Sequence, residues 1–165
     1  EILNSIKILK DKNHSLFFTF IGNGKLMKTA KDFATKNHLE HFITFKGWKP
    51  NNQLDEYYKS ADVFVLPSWA EGMPNALIEA LSCGLASITT NVGMIPNYLK
   101  NNHNALLINP KSTEELTSAM EKLIIDKNLK LKLSKNAYKV AIKYFSTEKG
   151  LMSLSELIKN EIINE

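Results

Sequence analysis

Five short, almost wholly apolar runs are spaced along the first two-thirds of the chain, and helix-like stretches separate the first four. Apolar runs of about four to eight residues bounded by turn residues are typical of strands buried on both faces. Strands that alternate with helices form a parallel sheet covered on both sides. The sequence therefore predicts an α/β fold, a doubly wound, Rossmann-like parallel sheet with C-terminal helices. The predicted strands are residues 16–21, 42–45, 63–66, 86–89 and 105–108.

The stretches around these runs are predicted to be helical, and the last three follow one another with no strand between them. Ser112 or Thr113, ahead of Glu115, gives the first of those three a capped start. The predicted helices are residues 1–12, 26–36, 53–60, 74–83, 113–125, 129–144 and 147–163.

No repeat, low-complexity block or linker interrupts residues 1–165, so we interpret them as one domain. The first residue is Glu and already lies in a helical pattern, and we expect the chain to be part of a longer protein. Without an apolar run of about 18 residues or a signal peptide, no membrane span is predicted. The single cysteine, Cys83, indicates a reducing compartment, and its apolar surroundings predict a small buried side chain.

The net charge of +4 comes from a basic set of 21 residues that are all lysine. Surfaces that read bases or clamp phosphates usually use arginine, whose planar fork binds in a bidentate way. The lysines also alternate with acidic residues along predicted helix faces. We therefore expect no nucleic-acid partner, while weak attraction to an anionic membrane surface is allowed.

The stretch EGMPNALIEALSCG, residues 71–84, places Glu79 in an otherwise apolar helix. A buried carboxylate needs a partner or a purpose. Pro74 suits the start of a helix, and the free N–H groups of Asn75 and Ala76 would form an anion site suited to a phosphate. Glu79 lies about 6 Å further along the axis, where it could accept hydrogen bonds from a ribose diol. Glu71 would reach the group beyond the phosphate, although a solvent-exposed Glu79 and a simple loop acid at Glu71 are the alternative.

Ligands of doubly wound folds bind beyond the carboxyl ends of the strands. This rule selects four loops, residues 22–24, 47–50, 67–75 and 90–96. The Gly22–Asn23–Gly24 turn follows a predicted strand, but Met27 stands where a dinucleotide fingerprint needs its third glycine. A tight turn is the alternative interpretation of these glycines.

Taken together, these motifs resemble one family. EGMPNALIEALSCG resembles the E-x7-E segment of retaining glycosyltransferases with the GT-B fold, of the group 1 (family 4) type. LDEYYKSADVFVLPS resembles the tyrosine-rich helix and the following strand end of that family. FIGNG, FKGW, TTNVGMIP and ALLINP follow in the family's order, so the resemblance covers nearly the whole chain.

The resemblance implies the C-terminal, donor-binding half of such an enzyme, with the N-terminal acceptor half and the first strand missing. Its substrate would be a nucleotide-diphosphate sugar, transferred with retention to a hydroxyl of a glycan or lipid-linked saccharide in surface polysaccharide or glycolipid synthesis. Members of the family generally need no metal bound by an Asp-x-Asp motif, and no such motif is present here, so the resemblance implies neither a metal nor a cofactor. The implied location is the cytoplasm, or the inner face of the membrane with peripheral association.

The resemblance also assigns residues. Glu71 would take the catalytic position near the donor sugar, and Glu79 would hold the ribose hydroxyls. The other implied donor-binding residues are Trp48 and Lys49 at the base, Gly72, Met73, Pro74, Asn75 and Ala76 at the sugar and phosphates, and Gly22 and Gly24.

The sequence departs from the family at several positions. The phosphate-binding Arg and Lys that precede the first helix in the family are absent, so we expect the fragment alone to bind donor weakly and to be inactive. Met94 replaces the second glycine of a Gly-Gly turn, and Asn97 replaces a usual Glu. The alternatives are therefore a non-catalytic nucleotide-sugar-binding module and a GT-B relative of the epimerase or starch-synthase type.

Overall fold

The computed structural model describes residues 1–146, and the predicted helix at 147–163 lies outside them. No helix within that range is both long enough and apolar enough to cross a bilayer. The elements in chain order are α1 (Ile2–Asp11), β1 (Phe18–Phe20), α2 (Met27–Lys36), β2 (Ile43–Phe45), α3 (Asn51–Ser60), β3 (Val63–Leu66), α4 (Asn75–Ser82), β4 (Ala86–Thr90), α5 (Ile95–Tyr98), β5 (Leu106–Ile108), α6 (Thr113–Ile125) and α7 (Lys127–Tyr144).

Every pair of strands is parallel. β1 pairs with β2, and β3, β4 and β5 form a second hydrogen-bonded group in that order. Each strand is followed by a helix, so the loops after the strands collect at one edge of the molecule. The predicted parallel α/β architecture is confirmed.

The two faces of the strands have separate cores. Val63 and Val65 of β3 pack against one core, and Phe64 and Leu66 pack against the other. This alternation follows from the two-residue period of a strand. α1 packs against α6, and α4 packs against α7. Because β3 packs both of its faces against apolar residues, its sequence is a continuous apolar run and not an alternation of apolar and polar residues.

The start of α6 is fixed by two side chains. The Ser112 hydroxyl accepts a hydrogen bond from the Glu115 N–H at 3.1 Å, which decides the predicted cap in favour of Ser112. The Glu115 carboxylate accepts two more bonds from Asn109, at 2.7 Å from its backbone N–H and 2.8 Å from its side-chain amide. These bonds hold the pKa of Glu115 below its usual value. The loop after β5 is thereby tied to the first turn of α6.

The expectation of a buried Cys83 is wrong, because Cys83 is exposed. α4 ends at Ser82, and the residues that face the core are Leu77, Ala80 and Leu81. Cys83 follows them as the C-cap and lies outside that face. Partial desolvation of the sulfur and the nearby Asp55 carboxylate raise the pKa of the thiol, which favours its protonated form.

Candidate functional site

The loops after β1 and β2 meet at the carboxyl edge. The Gly22 N–H donates to the Gly47 carbonyl at 2.8 Å, and both glycines have positive φ, +118° and +66°. Trp48 follows with 68% of its surface exposed, and Lys49 is half-buried. The structure therefore brings the predicted glycine turn next to the loop that carries Trp48 and Lys49, the predicted base-pocket residues.

The loops after β3 and β4 are also in direct backbone contact. The Met94 N–H donates to the Gly72 carbonyl at 3.0 Å. Gly93 has a φ of +55°, and a Cβ placed on it would lie 1.8 Å from the Glu71 carbonyl oxygen and 2.8 Å from that of Gly72. Only glycine fits this approach. The sequence identifies this loop as a ligand loop but not Gly93 as the residue that sets the spacing.

Buried threonines of β4 anchor the loop that carries Glu71. Thr89 Oγ1 donates to the Leu66 carbonyl at 3.1 Å, and Thr90 Oγ1 donates to the Ser68 carbonyl at 2.6 Å. The Ser68 hydroxyl in turn donates to Glu71 Oε1 at 3.2 Å. Glu71 is exposed, and its only hydrogen bond among residues 1–146 is this one. The arrangement presents a carboxylate to solvent from a restrained loop.

α4 begins directly after this loop. Pro74 is its N-cap, with φ −70° and ψ 130°, and lies just before the helix rather than within the predicted first turn. The Pro74 carbonyl accepts from the N–H groups of Leu77 and Ile78 at 3.0 Å and 3.2 Å. The N–H groups of Asn75 and Ala76 meet no acceptor in the described part of the chain. Two donors at the positive end of a helix dipole can bind an anion.

Glu79, one turn further along α4, is half-buried and has a partner that the sequence did not reveal. The Tyr58 hydroxyl of α3 donates to Glu79 Oε2 at 2.9 Å. Burial, and then the hydrogen bond to Glu79, raise the pKa of Tyr58. Tyr57 and Tyr58 stand side by side in the sequence, and only the orientation of α3 decides which of them faces α4.

The backbone hydrogen bonds described above join the loops in two pairs, and α3 follows the first pair in the sequence and contacts α4 after the second. One pair holds Gly22, Gly24, Trp48 and Lys49, and the other holds Glu71, Gly72 and Met73 at the start of α4. No hydrogen bond between described residues joins the two pairs directly, and Tyr58 connects them through Glu79. Within the same residues, no group of three His, Cys, Asp or Glu side chains is placed to hold a metal.

Met94 and Asn97, the two residues that depart from the family pattern, lie beside the loop that carries Glu71. Met94 is 46% exposed and bonds to Gly72 through its backbone. Asn97 is exposed on α5, and its N–H donates to the Met94 carbonyl at 3.1 Å. Neither side chain is needed for the backbone contact between the loops. Along the chain, the free amides of Asn75 and Ala76 lie between two carboxylates, the exposed Glu71 and the half-buried Glu79.

Comparison with known proteins identifies the family. Residues 1–140 match the family described as glycosyl transferases group 1. The chain belongs to this family. It is 31% identical over 149 residues to the UDP-Gal:α-D-GlcNAc-diphosphoundecaprenol α-1,3-galactosyltransferase of Escherichia coli, covering 90% of this chain and 38% of that enzyme. It thus spans well under half the length of that relative.

Solved structures agree on the fold. HepE of Anabaena, solved in complex with UDP, superposes with a TM-score of 0.84 at 16% identity, over 96% of this chain and 44% of HepE. The C-terminal domain of the group 1 family protein LpcC of Francisella tularensis superposes with a TM-score of 0.70 at 20% identity, over 87% of this chain and 94% of that domain. The fold is therefore the Rossmann-like fold of GT-B glycosyltransferases, as the sequence predicted.

Proposed function

We propose that this domain binds the donor of a glycosyltransferase that moves a sugar from a nucleotide-diphosphate sugar to an acceptor hydroxyl, with retention of configuration. One observation carries the proposal. The free amides of Asn75 and Ala76 lie between the exposed Glu71 and the half-buried Glu79 on one loop and helix. This order matches a ligand that has a sugar, a diphosphate and a ribose in a row.

Each group in the site has a proposed role. The diphosphate binds at the start of α4, where the dipole and the free amides stabilise its charge. Glu79 accepts hydrogen bonds from the ribose hydroxyls, and Glu71 lies near the donor sugar and the reacting centre. Trp48 and Lys49 line the base pocket. Gly22, Gly24, Gly72, Met73 and Pro74 bring backbone close to the donor.

The proposed chemistry needs charge stabilisation more than proton transfer by the protein. As the bond to the sugar breaks, negative charge grows on the leaving diphosphate, and amides already oriented towards it stabilise that charge. The diphosphate itself helps to remove the proton of the acceptor hydroxyl. In this proposal the nucleotide sugar is a substrate, and neither a cofactor nor a metal takes part.

We further propose that the domain is the C-terminal half of a longer enzyme, with an N-terminal acceptor half and one more strand. A groove of about 290 Å³ lined by Phe20 at the end of β1 and Pro67 after β3 supports this. Within residues 1–146, β1 pairs only with β2 and β3 only with β4, so each has one edge without a partner strand. A parallel strand leading into α1 would fit between them. The likeness to the LpcC C-terminal domain supports the same assignment.

The acceptor in this proposal is a glycan or a lipid-linked saccharide, supported by the diphosphoundecaprenol in the name of the Escherichia coli relative. Such an acceptor places the enzyme in the cytoplasm at the inner face of the membrane, as a peripheral protein. Because the acceptor half is separate, we expect the 165-residue chain alone to show no transferase activity.

Calorimetric titration with UDP, GDP, ADP and their sugar conjugates tests the donor site. We expect one nucleotide to bind, and Glu79→Gln to weaken that binding by about 1–3 kcal/mol because charge-assisted hydrogen bonds are lost. Glu114→Gln, an exposed carboxylate on α6, is the matched control and should bind like the wild type. Equal affinity in all three proteins would show that the ribose site lies elsewhere.

A further inference from the structure

We propose that Tyr58 is a positioning residue that fixes the carboxylate of Glu79 for the ribose hydroxyls of the donor. The inference rests on the proposed function and adds a residue from a different helix to the site. It assigns a role to a hydroxyl that the sequence did not identify as part of the site.

The geometry gives Tyr58 two contacts on α4. Its hydroxyl lies 2.9 Å from Glu79 Oε2 and 3.4 Å from the carbonyl oxygen of Ala76. Ala76 is also one of the two residues with a free N–H at the helix start. One phenol therefore touches the residue assigned to the ribose and the turn assigned to the diphosphate.

The hydrogen bond leaves Glu79 able to accept others. Tyr58 binds Oε2 alone, and Oε1 has no hydrogen-bond donor among residues 1–146. A free glutamate side chain has several rotamers, and restricting it on binding costs affinity. A carboxylate already held through one oxygen avoids that cost and presents the other oxygen in a fixed direction. The half-buried position of the pair strengthens the bond relative to one in water.

The ring of Tyr58 is held independently of its hydroxyl. Its centroid lies 6.1 Å from that of Phe64 on β3, in a tilted arrangement. Tyr58→Phe therefore removes the hydroxyl and keeps the ring in place. Tyr57 is also half-buried and lies on the same helix, but its hydroxyl makes no hydrogen bond to a described residue. Tyr57→Phe is accordingly the matched control for loss of a phenol hydroxyl from α3.

A double-mutant cycle tests the inference. UDP, GDP and ADP, each beside its dideoxy form without ribose hydroxyls, are titrated into the wild type, Tyr58→Phe, Glu79→Ala, the double variant and Tyr57→Phe. We expect Tyr58→Phe to bind the preferred nucleotide about three- to tenfold more weakly. The double variant should be no weaker than Glu79→Ala alone, because alanine leaves Tyr58 no acceptor to position, and the dideoxy form should bind equally to wild type and Tyr58→Phe.

These titrations distinguish failure of the Tyr58 role from failure of the proposed donor site. If Glu79→Ala weakens binding and Tyr58→Phe does not, Tyr58 has no positioning role while the donor site stands. If the two losses add in the double variant, Tyr58 acts without Glu79 and the inference is wrong. If the wild type binds none of the nucleotides, or Glu79→Ala has no effect, the proposed donor site fails and the role of Tyr58 fails with it.

A measurement without nucleotide tests the contact itself. The phenol carbon of Tyr58, followed near neutral pH by carbon NMR of labelled tyrosine, should change its chemical shift in Glu79→Ala, because the acceptor of its hydroxyl is gone. An unchanged Tyr58 signal would overturn the inference. Thermal unfolding of each variant serves as the check that all of them fold.

Discussion

At the scale of single residues, the site depends on a glycine that bears no functional group. Gly93 lets the loop after β4 touch the backbone of Glu71 and Gly72, and its φ of +55° is itself unfavourable for other residues. Gly93→Ala should lower the free energy of unfolding by roughly 2–4 kcal/mol, because a Cβ would overlap the Glu71 carbonyl. Urea unfolding measures this change.

Gly24→Ala is the control for Gly93→Ala. A Cβ on Gly24 meets nothing within 4 Å, and no positive φ constrains it. It should unfold within about 1 kcal/mol of the wild type. If both variants unfold at the same urea concentration, the close approach of the two loops is not a feature of the protein in solution.

At the scale of elements, the ends of α6 and α7 show how side chains define a helix. Ser112 caps α6, and Asp126 accepts from the Leu129 N–H at 2.8 Å to cap α7. Ser112→Ala should cost about 1 kcal/mol of stability, since it leaves the Glu115 N–H without its acceptor. Ser118→Ala, an exposed change within α6, should cost less than half as much. Chemical unfolding in which the two variants are indistinguishable would contradict the cap.

The elements that the sequence predicted best combine a clear pattern of apolar residues with a residue that marks the boundary. β3 and α6 were predicted with the residues they have in the structure, because Pro67 ends the strand and Ser112 starts the helix. β1 is shorter than its apolar run, since Phe17 is 64% exposed and lies outside the ladder. α5 was not predicted because four residues are too few to show a helical period.

The sequence could predict those parts of the candidate site that lie within one continuous stretch of the chain. The Glu71 loop and the start of α4 follow from the sequence, because proline, glycine and glutamate mark positions within one segment. Tyr58 and Gly93 could not be recognised, since their roles depend on contacts between elements. Cys83 was misassigned for a related reason, because apolar neighbours do not say which side of a helix end faces the core.

At the scale of the whole molecule, a second groove is an alternative position for the nucleotide. A groove of about 400 Å³ lies between β5 and α6, lined in part by Asn102, Leu107 and Ser118. It is larger than the groove beside β1 and β3, but the Glu115 carboxylate in its lining already accepts hydrogen bonds from Asn109 at both oxygens, whereas Glu79 keeps one oxygen without a donor among residues 1–146. The chemistry of a donor site favours the carboxyl edge over the larger groove.

Amide chemical-shift mapping during titration of the isotope-labelled chain with UDP, GDP and ADP tests this claim most directly. NMR detects binding even when affinity is only millimolar. We expect the largest changes at Asn75 and Ala76, with further changes at Gly22 and Trp48. Changes clustered around Leu107 and Ser118, with α4 undisturbed, would show that the nucleotide binds in the other groove and that the proposed donor site is wrong.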